Sequence, residues 1–222
     1  MIRIITKKSN WEDSCMKKKI FTVMIIMLLL SIMLPVPAST LDEETPVLID
    51  RKWDVRFLFI FPLIPQNMFG NIDILTVSFS EDEYQPELLF VTLELRDLST
   101  TLPDFDAGYT ISWSFFNANY ILVAHALPQG EKTFAVGSST QSSNNFENWQ
   151  TCTGFFDSIE YTIIFSVSKN SIGNPQQFSK LDNIDATAFL RPYDLETHQP
   201  GADIFKDFTH NAKQVSSYTI KY

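Results

Sequence analysis

The feature that most constrains this chain is a spacing of two between apolar residues. In Ile74–Ser80, Leu75, Val77 and Phe79 alternate with Thr76, Ser78 and Ser80. In Tyr109–Phe116, Tyr109, Ile111, Trp113 and Phe115 alternate with Thr110, Ser112 and Ser114. In Ile159–Val167, Ile159, Tyr161, Ile163, Phe165 and Val167 alternate with Glu160, Thr162, Ile164 and Ser166. That period places large side chains on one face of an extended strand, whereas a helix needs them three and four apart. Further strands are expected at Val55–Phe61, Leu88–Arg96, Asn119–Ala126, Thr133–Val136, Ile184–Arg191 and Ser217–Tyr222. Leu88–Leu95 begins apolar on both faces, which suits a central position in its sheet.

Turn residues separate these runs, at Ser80–Glu83, Leu102–Asp104, Asn117–Asn119, Pro128–Gly130 and Ile172–Pro175. Asn117-Ala118-Asn119 is expected to close a hairpin. Residues 137–150 form the longest polar stretch, expected as an exposed loop or an irregular edge. Asp203–Gln214 carries the one weak helical pattern, through Ile204, Phe205 and Phe208. About nine strands with little or no helix predict an all-β fold: an antiparallel two-sheet sandwich, immunoglobulin- or jelly-roll-like. It is expected as one domain over 53–222, entered through an acidic linker at 39–52.

Ahead of the linker the chain changes character. Lys17-Lys18-Lys19 is followed by an uncharged run from Ile20 to Leu34 and by Val36-Pro37-Ala38. A basic start, an apolar middle and small residues at the end predict a signal peptide cleaved near Ala38, with Met16 a natural start and a secreted product. Contact with a membrane is expected only through this segment, if it is left uncleaved.

The leader also distorts the charge balance. The whole chain has 17 basic and 26 acidic side chains, a formal charge of −9. Six of the basic and two of the acidic ones lie in residues 1–38, so the body holds 11 against 24, a formal charge of −13. Such a surface argues against nucleic acid as a partner, since phosphate binding requires clustered Lys and Arg. Of two cysteines only Cys152 follows the leader, which excludes an internal disulfide and disfavours a thiolate metal site.

The strand beginning Asn71-Ile72-Asp73-Ile74, followed by Glu87–Asp97, resembles the opening of DOMON-like and family 9 carbohydrate-binding-module-like β-sandwiches. Tyr109–Trp113, Tyr120–Val123 and Ile163–Pro175 continue the similarity, which covers roughly residues 70–191. The resemblance implies a sandwich fold on an exported protein, with sugar binding, haem binding or an accessory role as family functions.

Sugar recognition needs a flat ring against the apolar face of a pyranose and polar groups for its hydroxyls. Trp149, Phe146, Asn144, Asn145, Asn148 and Gln150 gather these parts in a segment without strand period. The competing reading is that both rings pin a loop to the core. Trp113 lies on an alternating apolar face and is expected in the core, whereas Trp53 beside Asp54 is ambiguous. Asp104 and Asp106, before Gly108, suit oxygen ligation of a structural Ca²⁺, although Phe115 stands where an EF-hand loop has its last acidic ligand. The competing reading there is a solvated acidic surface. Met68, His125 and His198 are the side chains that a haem would draw on. No nucleophile elbow, zinc-binding helix or phosphate loop occurs, and Cys152 reads as a structural thiol. The expected function is therefore a non-catalytic binding module for carbohydrate or a surface protein. A structural or cell-surface assembly protein is the alternative, and a secreted hydrolase comes third.

Overall fold

The computed structural model describes residues 46–50, 56–57, 66–98, 104–140, 145–197, 199–201, 205–209 and 217–222. These belong to a compact unit spanning Thr40–Tyr222. The expected leader lies outside the described residues, and among them no helix is long and apolar enough to cross a membrane.

The chain is built of strands. In order they are β1 (Pro46–Ile49), β2 (Arg56–Phe57), β3 (Ile74–Ser80), β4 (Leu88–Leu95), β5 (Phe105–Phe115), β6 (Ala118–Ala126) and β7 (Lys132–Thr140). Then come β8 (Glu147–Thr151), β9 (Thr153–Asp157), β10 (Thr162–Ser168), β11 (Lys180–Asp194), β12 (Gln199–Pro200), β13 (Phe205–Phe208) and β14 (Tyr218–Thr219). Two short 3-10 turns, Gln66–Asn71 and Lys169–Ile172, interrupt them. The smaller sheet runs β1-β3-β4-β10-β9, with β4 at its centre as its two-faced apolarity predicts. The larger runs β2-β13-β11-β5-β6-β7-β8, and β12 and β14 also pair with β11. All pairings are antiparallel.

Alternation fills the space between the sheets. Leu89, Val91, Leu93 and Leu95 of β4 and Ile163, Phe165 and Val167 of β10 lie in one core with Tyr109, Ile111 and Trp113 of β5 and Leu122 of β6. Outward residues of the larger sheet, among them Thr110, Ser112, Ile121 and Val123, are half-buried. Buried polar groups tie the layers together. Asp207 of β13 accepts a hydrogen bond from the Ile74 backbone N–H at 2.8 Å, and within the smaller sheet Arg96 pairs with Asp73 at 2.8 Å.

Four expectations change. Pro46–Ile49, assigned to the linker, is a strand that pairs with β3 and buries Leu48. Phe205–Phe208, inside the expected helix, is β13 on β11, and the rest of that pattern lies largely outside the described residues. The β5–β6 hairpin turns on Phe116-Asn117, one residue earlier than expected. β10 begins at Thr162, and Ile159 is 82% exposed in the turn before it.

Candidate functional site

Residues 137–150 resolve into the end of β7 and most of β8, with 141–144 outside the described residues. The irregular edge is thus what forms: β8 is the last strand of the larger sheet, and all five of its residues are exposed. Val136 pairs with Gln150 and Ser138 with Glu147, so Asn148 and Trp149 together stand opposite Gly137. This is a β-bulge, and Asn148 takes the positive φ of 51° that such a bulge needs. Asn tolerates that backbone better than most residues, because its short amide bonds locally.

The bulge lays Trp149 on the outer face of the sheet. A Cβ on Gly137 would sit 3.0–3.1 Å from three atoms of the six-membered indole ring, so that ring covers the glycine. Trp149 remains 52% exposed, with Phe146 tilted beside it at 6.5 Å between centroids. Gly137 is what lets the ring lie this close. On the same outer face, Ile121 stands across from Gly137 and Asn119 across from Ser139. The Ser139 hydroxyl is buried and has no hydrogen-bond partner among the described residues.

The structure therefore keeps part of the expected cluster and divides the rest. Phe146, Asn148 and Trp149 share the bulge region. Gln150 registers with the core residue Val136, which puts its amide on the other face of β8 from Trp149. Asn145 is exposed at the start of the segment, and Asn144 lies outside the described residues. Gly137 and Ser139 were not singled out in the sequence. A small-residue run, Gly137-Ser138-Ser139, beside an aromatic edge was the available signal.

The structure places Asp104 and Asp106 in different surroundings. Asp104 is exposed at the mouth of β5 with φ of 69°, while Asp106 is 1% exposed. One carboxylate oxygen of Asp106 meets His125 Nδ1 at 3.1 Å, and the other takes Nε and Nη2 of Arg191. Burial pushes the Asp106 carboxyl up, but the His125 hydrogen bond and Arg191 outweigh it and hold the pKa below the ordinary value. Both oxygens are in use, so a cation at Asp106 would have to displace the imidazole or the guanidinium. No group of three or more metal-ligating side chains occurs among the described residues. Phe189 completes this cluster by lying across Gly108, with the Arg191 guanidinium 5.4 Å from its ring centre.

Trp113 is 1% exposed, as its place in the alternation requires. Cys152 lies where the chain passes from β8 in the larger sheet to β9 in the smaller. Burial raises its thiol pKa to about 11, so it is protonated at neutral pH and a poor nucleophile. Trp53 and His198 are outside the described residues, as is the side chain of Met68.

No protein-family model, curated protein or solved structure matches the chain.

Proposed function

We propose that this chain is an exported, non-catalytic β-sandwich that binds carbohydrate on the outer face of β8. One observation carries the reading: the Trp149 ring lies over Gly137 with its outer side open to solvent. A ring held flat by the sheet is ordered before any ligand arrives, so binding loses little side-chain freedom. An indole face offers the C–H side of a pyranose a large apolar contact, and polar groups nearby select orientation. Asn148 supplies such a group at this edge, and Asn119 lies on the same face two strands further in. The DOMON-like resemblance of residues 70–191 has sugar binding among the functions it implies, beside haem binding and an accessory role. Export follows from the Lys17–Ala38 pattern and suits a chain that meets glycans outside the cell.

A glycan array probed with the purified protein and with Trp149→Ala tests this. A bound glycan whose signal falls at least about fivefold in the variant supports it, since truncating an aromatic anchor costs more than about 1 kcal/mol. Glycans bound equally by both proteins would remove Trp149 from the site. An array blank for both would favour an assembly role without a small-molecule ligand.

A further inference from the structure

A second surface has the chemistry of a ligand site and shares no residue with the Trp149 platform. Where the β5–β6 hairpin meets the segment after β10, the sandwich leaves an open hollow of about 460 Å³. That lies in the roughly 300–1,000 Å³ range of small-molecule sites. Its walls are Phe115, Phe116 and Tyr120 on one side and Gly173, Asn174 and Gln176 on the other, with Asn117 and Ser179 at the rim. No charged side chain lines it.

The decisive group is Tyr120. Its ring is 8% exposed and stacks on Trp113 with centroids 6.2 Å apart, so the core fixes its direction. Its hydroxyl has no hydrogen-bond partner among the described residues, and it reaches the hollow beside Gly173. A Cβ on Gly173 would stand 2.4 Å from that oxygen, so only glycine keeps it uncovered. Gly173 also needs its freedom for a φ of 83°, where it ends the turn Lys169–Ile172. The Tyr120 hydroxyl opens on the hollow with its direction fixed and no partner among the described residues, so a ligand oxygen can take it in place of water.

Strain surrounds the same hollow. Phe116, with φ of 55°, is 84% exposed at the hairpin tip, and Phe178, with φ of 68°, is 78% exposed just beyond Gln176. Bulky residues rarely hold positive φ; the Phe116 ring stands edge-on to Phe115 at 5.5 Å between centroids, while Phe178 is largely exposed. Gln176 donates its Nε2 to the Asn174 backbone oxygen at 2.9 Å, which braces that lip and leaves its Oε1 as an acceptor.

Aromatic walls, amides and hydroxyls without charge select a ligand that is neutral, ringed and rich in hydroxyls. An ion would find no counter-charge here, and an alkyl chain would leave the Tyr120 hydroxyl unpaired. We infer that this hollow holds one ring of a neutral saccharide, oriented by the Tyr120 hydroxyl. The inference stands apart from the Trp149 reading, because its residues and its reasons are different.

The test is an NMR titration of the purified protein with glucose, galactose, mannose, N-acetylglucosamine and their disaccharides. It follows the Asn117, Gly173 and Asn174 amides and, separately, the Trp149 indole N–H. Saturable shifts at the three amides are expected for at least one sugar. They should weaken about fivefold in Tyr120→Phe, the loss of one neutral hydrogen bond, and persist in Trp149→Ala. Tyr120→Phe keeps the ring on Trp113, so its melting temperature should equal or exceed the parent's. Binding lost from a protein that is no less stable is what a purely structural hydroxyl cannot give. Silence at the three amides with every sugar overturns the inference, whatever the indole does. So do shifts there that ignore Tyr120→Phe. Shifts at the hollow with a silent indole uphold it while removing the platform reading.

Discussion

Lys169→Met is the most informative perturbation of the fold. Lys169 and Glu81 form an ion pair of 2.6 Å, with side chains 5% and 0% exposed. Glu81 also accepts from the Tyr218 hydroxyl at 2.9 Å and from the Lys221 and Tyr222 backbone N–H groups at 2.7 and 3.3 Å. Lys169 in turn donates to the Tyr222 backbone oxygen. The pair thus fastens segment 217–222 to the end of β3 and to the turn after β10. Methionine keeps the apolar stem but strands a buried carboxylate, for which a broken buried pair costs about 3–5 kcal/mol. Three remaining donors to Glu81 place the loss at the lower end, about 3 kcal/mol. With an m-value of about 2 kcal/mol/M, the urea midpoint should fall by about 1.5 M. Trp113 fluorescence reports it, because that indole sits in the core 5.7 Å from Phe79. Glu81→Gln alone should also destabilise. The double variant should fall short of the sum of the two by about 1–3 kcal/mol, since it no longer buries a lone charge. A Lys169→Met loss below about 1 kcal/mol, or strict additivity, would show the pair behaving as a solvated surface contact.

Asp106, whose folded pKa is depressed, should contribute stability that is present above the unfolded carboxylate value of about 3.9 and disappears as pH falls through its folded value. The melting-temperature gap between the parent and Asp106→Asn should accordingly close on acidification; a gap constant with pH would exclude the ion pairs as its source. Gly154→Ala should cost about 1–3 kcal/mol in urea unfolding. Its Cβ would stand 2.2 Å from the Phe134 ring, which is itself hemmed in by Phe156 and Phe165 at 5.4 and 5.6 Å. An unchanged midpoint would mean that Phe134 swings free. Chelator should leave the melting temperature unaltered, since Asp106 already serves Arg191 and His125; a fall would show an ion that binds the folded state.

Strands that obey the pleat were legible, because one buried face forces alternation whatever the partner. β4, β5, β6 and β10 follow from spacing alone, give or take a few residues at their ends. β13 was not legible. Asp207 is buried in it because the Ile74 N–H, 133 positions away in the chain, needs its carboxylate. A polar residue at a core position breaks the pattern, and the spacing of Phe205 and Phe208 then imitates a helix. β1 was hidden in the same way by its acidic flank and Pro46. Trp149 could be picked out as a ring beyond the alternation, but the glycine beneath it lies in another strand. The Tyr120 hollow escaped entirely, since Tyr120 counts as a core residue by spacing and Gly173 as turn punctuation. Their meeting is a product of topology.

The bulge in β8 has a bearing on how copies of this protein behave when crowded. A sheet edge displays unpaired amides and carbonyls that another chain can template upon, and a long flat edge invites fibre-like growth. β8 resists this with a left-handed kink at Asn148, which breaks the even pitch a docking strand would have to match. Glu147 adds a like charge that two such edges would bring together. The distortion that turns an indole to the solvent therefore also keeps that flank from nucleating aggregates. Straightening the strand to restore regular pairing would trade solubility away.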